Sequence, residues 1–132
     1  MLFRSGGYVV MSQTTTVTTA SAGTATSSSV YLPANSQIID ILVDGTTAAV
    51  AGAGTATAIA TTVGTAAAGT QYMSSTDGIA GGRLTFAPTA AQTLAMADIT
   101  TNQSVYITVD PNGTILTTQG VFRLTVVYAQ KS

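Results

Sequence analysis

The sequence predicts an all-β domain, an antiparallel β-sandwich of jelly-roll-like form behind an extended N-terminal arm. Three observations point there. About six to eight short runs of β-forming residues alternate between apolar and polar positions. Turn residues punctuate them, as at Pro33-Ala34-Asn35, Gly45, Asp77-Gly78 and Asp110-Pro111-Asn112-Gly113. Only residues 89–99 offer a helix, of two or three turns at most, and there Leu94 and Met96 would not share a face, so a loop with strand character fits equally. No repeat of roughly 20 to 50 residues appears, which argues against a β-solenoid.

Taken in order, residues 12–29 are nearly all Thr, Ser, Ala and Gly. This reads as an extended arm over 1–29 whose order depends on a partner, with Thr14–Thr19 able to lie as an edge strand on a neighbour. Met11 reads as the natural start, with residues 1–10 as an upstream extension. One β-sandwich domain then spans 30–132. Val30–Leu32 forms a short strand closed by Pro33-Ala34-Asn35. Gln37–Asp44 is the next strand, with Ile39, Ile41 and Val43 inward and Ile38, Asp40, Leu42 and Asp44 outward.

Residues 46–70 are of low complexity. Their alanines invite a helix, but each interior glycine costs a helix about 1 kcal/mol. Thr57–Val63 reads better as a strand anchored by Ile59 and Val63. Residues 71–83 form a long loop, and Leu84–Phe86 a short strand stopped by Pro88. Ser104–Val109 alternates, with Val105, Ile107 and Val109 inward. Asp110–Gly113 predicts a hairpin returning through Thr114–Thr118, because Asn-Gly accepts positive φ. Val121–Tyr128 closes the fold, with Phe122, Leu124, Val126 and Tyr128 on its inner face.

A length of 132 residues fits one domain. The chain has no His, Cys, Trp or Glu, and only 7% of it is charged, for a net charge of -1. Proton transfer at neutral pH usually relies on His or Glu, and a serine nucleophile needs a base beside it. The composition therefore argues against an enzyme, a cofactor site or a thiolate metal centre, and for a structural or binding role. No basic patch suits nucleic acid, and no basic amphipathic helix or apolar span suits a membrane. Much of the 45% hydrophobic content is alanine, so the core is thin and association is attractive as extra stabilisation.

Asp40 and Asp44 share a strand face. They can hold a divalent cation with loop oxygens, or pair with Arg83 or Arg123, and pairing is the expected arrangement. Gly81-Gly82-Arg83 lacks the strand–loop–helix setting of a phosphate cradle. Tyr31, Tyr72, Tyr106 and Tyr128 can stack sugars, but core or interface anchoring is the commoner use of such residues.

Leu32-Pro33-Ala34-Asn35, the following Ile38–Asp44, the Val63-Gly64-Thr65-Ala66-Ala67 stretch and the final Phe122–Tyr128 strand resemble small β-sheet structural proteins of tailed bacteriophages. The resemblance covers about residues 30–129 and is compositional. It implies a virion component, most of all a capsid decoration (cement) protein on the capsid exterior, made in the host cytoplasm. It implies a homotrimer that clamps major-capsid subunits. Val17, Tyr31, Tyr72, Met73, Phe86 and Tyr106 are the contact anchors expected on this reading. The alternative is a tail, fibre or adhesin module that binds a host-surface glycan through tyrosines and polar loops.

Overall fold

The computed structural model describes residues 8–131. Eight strands and one helix follow in order: β1 (Tyr8–Thr18), β2 (Thr26–Leu32), β3 (Ser36–Thr47), β4 (Ile59–Gly64), β5 (Met73–Asp77), β6 (Gly82–Arg83), α1 (Ala90–Ala97), β7 (Gln103–Pro111) and β8 (Val121–Lys131). They make two four-stranded antiparallel sheets packed face to face. Sheet A has the order β1-β8-β3-β6 and sheet B the order β2-β7-β4-β5. Strand 1 pairs with 8, 2 with 7, 3 with 6 and 4 with 5. That nested pairing is the jelly roll, a long antiparallel ribbon rolled so that its halves fall into two sheets.

The core lies between the sheets. Phe122, Leu124 and Val126 of β8 meet Val105, Ile107 and Val109 of β7, with Val43, Ile59 and Val63 beside them, all fully buried. The expected inner faces of β4, β7 and β8 are therefore the observed ones. The alanine-rich stretch before β4 stays non-helical. α1 forms because Thr89 and Gln92 make a capping box: the Thr89 hydroxyl accepts from Gln92 N and the Gln92 side-chain oxygen (Oε1) accepts from Thr89 N. On it Leu94 points outward at 76% exposure, whereas Met96 packs against the core.

Five expectations need correction. Residues 8–18, read as part of a partner-dependent arm, form β1 and pair with β8 over eleven consecutive register positions. Residues 26–29 likewise belong to β2, so the domain begins well before Val30. Composition understated this segment because Thr is a good strand former once a ladder is offered, and the chain's own last strand offers it.

In β3 the face assignment slips. Ile38 is buried and Ile39 is 52% exposed, because a register shift between Ile38 and Asp40 inserts Ile39 as an unpaired residue against β8. Ile41 and Val43 then face inward as expected.

Asp110–Gly113 makes no hairpin. Neither Asn112 nor Gly113 takes positive φ, and Thr114–Thr118 does not return along β7. Instead the Asn112 side-chain oxygen accepts from Thr57 N (2.8 Å) and Ala58 N (3.0 Å), tying this loop to the one before β4. Thr55 and Thr114 add reciprocal backbone-to-hydroxyl bonds of 3.1 Å, and Ile115 drops into the core.

The loop expected over 71–83 contains β5. The strand expected at Leu84–Phe86 sits two residues earlier, as β6. There Gly45 lies opposite Gly82, and a Cβ on Gly45 would come within 2.6 Å of Gly81 Cα. The close approach needs glycine at position 45, and Gly81 and Gly82 across from it are both at positive φ, which glycine adopts freely.

Candidate contact surface

The six expected anchors separate into three groups. Val17, Tyr72 and Met73 are buried in the core and cannot reach a partner. Val17 lies on the inward side of β1, and Tyr72 and Met73 lie at the start of β5, so their bulk fills the sandwich instead. Burial pushes the Tyr72 phenol above its ordinary pKa, which keeps it neutral. Phe86 is half-buried against the core. Tyr31 and Tyr106 remain, and the fold brings them together.

Both project from the outer face of sheet B. In the β2–β7 ladder Tyr31 stands opposite Ser104 and Tyr106 opposite Ser29. The tyrosines are thus diagonal neighbours, with backbones roughly 7–8 Å apart. Ser27 and Ser29 continue the exposed row on β2, whose burial alternates along its length. That period-two pattern was readable in Thr26–Leu32, and it would have added the serines to the sequence-based set. The 65–69 loop bounds the face on the β4 side, where Ala68 N donates to the Thr108 hydroxyl at 2.8 Å.

Tyr31 is 55% exposed, yet its backbone is held. The Gln13 amide of β1 donates to Tyr31 O at 2.6 Å and accepts from Tyr31 N at 3.2 Å. Gln13 also donates to the Tyr128 hydroxyl at 3.1 Å. A side-chain amide here does the work of a neighbouring strand, and it holds the backbone that carries a solvent-facing aromatic ring. The sequence reading missed Gln13, since a glutamine among threonines carries no signal of such pairing.

A second feature lies on sheet A. β6 covers only the far end of β3, and an open cavity of about 270 Å³ remains, lined by Asp40, Leu42, Arg83, Leu84, Phe86 and Pro88. It is smaller than typical small-molecule pockets, which run from about 300 Å³ upward. Beside it, Arg83 pairs with Asp44, and Arg123 reaches the same carboxylate at 3.5 Å. The expected ion pairing is therefore present at Asp44. Asp40 instead accepts from the adjacent Ile41 N at 2.9 Å. Among the described residues no group of three His, Cys, Asp or Glu side chains could hold a metal ion.

The hydrogen bond from Arg83 holds the Asp44 carboxyl below the usual carboxylate range; partial burial opposes it and Arg123 assists. A carboxyl whose folded-state pKa lies below its unfolded value near 3.8 stabilises the fold above that value. The contribution disappears as pH falls through the folded value. Asp44→Asn should therefore lower Tm slightly at pH about 7, with the gap to wild type closing by pH about 2. A gap that persists or widens in acid in thermal melts would refute this account.

Compared with protein-family models, curated proteins and solved structures, the chain matches none.

Proposed function

We propose that this chain is a non-enzymatic structural protein of a bacteriophage virion, a decoration subunit that binds major-capsid subunits from outside and stabilises the shell. The observation that carries the reading is Tyr31, exposed on the outer face of sheet B and braced at both backbone atoms by Gln13. Exposed tyrosines are common anchors of protein interfaces, because a ring with two χ angles offers much contact area and loses little side-chain freedom on binding. Tyr106 and the serine row extend the contact without charge to desolvate. The loops at one end are cross-tied through Asn112 and Thr114, an arrangement that suits a clamp. The resemblance in residues 30–129 to small tailed-phage structural proteins points the same way. Many weak copies on one lattice would act together.

The test is co-sedimentation with preformed expanded capsids of the source virus, with and without Tyr31→Ala. The wild-type chain should bind and raise the capsid melting temperature. Tyr31→Ala should weaken binding at least about tenfold while leaving the chain's own Tm nearly unchanged. Absence of binding, or equal binding by the variant, removes the proposal. The tyrosine–serine face also favours a second reading, a glycan-binding tail or adhesin module, since aromatic rings and hydroxyls suit sugars. Hits on a glycan array would select it.

A further inference from the structure

Among the described residues no strand lies on the outer side of β1, and this edge is unlike the other three. β6 is two residues long. β5 has five residues and a register shift against β4, and Gln92 of α1 donates to Ser74 beside it. β2 has the Gln13 amide on its Tyr31 backbone. β1 runs eleven residues in unbroken register with β8, and it carries no charge, proline or glycine. Short length, irregular register, covering groups and charge are the usual means by which edges avoid pairing with other chains. Here three edges use them, whereas the longest has a single such group, the Thr26 hydroxyl on Thr18 O at its end.

The direction of the backbone groups can be assigned. Thr19 N donates to Gly120 O on the β8 side, while Thr18 O accepts from the Thr26 hydroxyl on the other. Backbone groups alternate along a strand, so Val10, Ser12, Thr14 and Thr16 direct N–H and C=O away from β8. Among the described residues none of these eight groups has a partner within the protein.

We propose that this edge pairs antiparallel with β1 of a second copy, joining two A sheets into one eight-stranded sheet across a two-fold axis. A register centred on Gln13 sets Ser12 opposite Thr14 and Val10 opposite Thr16, with every outward N–H and C=O matched. The hydroxyls of Ser12 and Thr14 then form cross-strand pairs on one face. Val10, 62% exposed in the single chain, gains the Thr16 methyl as a neighbour. No like charges meet. The two Arg123 guanidiniums, each beside its own Thr16, fall in rows about 20 Å apart along the strands. The occupant is a second copy because an edge with neither charge nor side-chain pockets holds nothing that selects a foreign strand, whereas its own copy matches at every position. The pairing is independent of the capsid reading. It is two-fold, so it takes the place of the implied homotrimer.

Sedimentation equilibrium of the full chain, combined with amide hydrogen exchange, tests this. The expected result is a monomer–dimer equilibrium in which the Ser12, Thr14 and Thr16 amides gain protection as concentration rises. Thr14→Pro removes one outward N–H and leaves the β8 ladder intact, so it should weaken the dimer at least about tenfold. Thr14→Lys, which keeps the backbone and places two charges across the axis, should do the same should the proline variant unfold. Thr14→Val should dimerise like wild type. A monomer at all concentrations, a trimer, or a dimer indifferent to both Thr14→Pro and Thr14→Lys would overturn the proposal.

Discussion

Phe122→Ala is expected to cost the fold about 3–5 kcal/mol, at the upper part of that range. Phe122 heads the largest fully buried side chains, on the strand between β1 and β3 in sheet A. Its register partners are Val17 and Gly45. Backbone closes on the ring from two sides: a Cβ on Gly78 would lie 2.5 Å from Phe122 Cε2, and one on Gly120 3.0 Å from Cε1. Main chain held by its own hydrogen bonds cannot relax into a void as flexible side chains can. Gly78 N donates to Ile59 O at 2.9 Å, and Asp77 accepts from Ile59 N and Ile79 N on either side. The cavity therefore stays open. Domains of this size have roughly 5–15 kcal/mol in total. Urea unfolding should show a lower midpoint with an unchanged slope, and a loss under about 1 kcal/mol would refute the packing described.

The reverse substitution of space should also hurt. Gly78→Ala places a methyl 2.5 Å from Phe122 Cε2, 2.9 Å from Cζ and 3.0 Å from the Thr61 hydroxyl oxygen. Gly78 does not have positive φ, so backbone strain plays no part and the whole cost is overpacking. About 1–3 kcal/mol is expected, since the turn is pinned and the ring is enclosed. A double-mutant cycle isolates the cause. In a Phe122→Leu background the missing ring atoms make room, and Gly78→Ala should cost less there, with a coupling of about 1 kcal/mol or more. Strict additivity of the two substitutions would show that the methyl is accommodated elsewhere.

The strands that build the centre of the molecule could be read directly. β7 and β8 carry clean alternation, and Val105, Ile107, Val109, Phe122, Leu124 and Val126 are all fully buried as that alternation requires. β3 could be read in extent but not in phase, because one bulged residue, Ile39, shifts every earlier side chain to the other face. Asp110–Gly113 carries the composition of a hairpin turn, but Asn112 is drawn to Thr57 and Ala58 across the loop cluster, and that long-range partner outweighs the local preference. Of the six expected anchors, Tyr31 and Tyr106 meet on one face. Aromatic type alone did not separate them from Tyr72, which lies in the core.

The amino-acid sequence by itself determined that this is a β protein with little acid–base chemistry at hand, since propensity, alternation and residue types are local properties. It also set which central residues form the core. Which strand lies beside which was decided only in three dimensions. Tertiary pairing made residues 8–18 a strand of the domain, braced Tyr31 through Gln13 and, among the described residues, left one long edge of sheet A unpaired. Those outcomes depend on contacts between residues far apart in the chain, up to 123 positions for Tyr8 and Lys131 (131 − 8). No local pattern encodes a partner at that separation; it is set by which packing buries the most apolar surface with every strand satisfied.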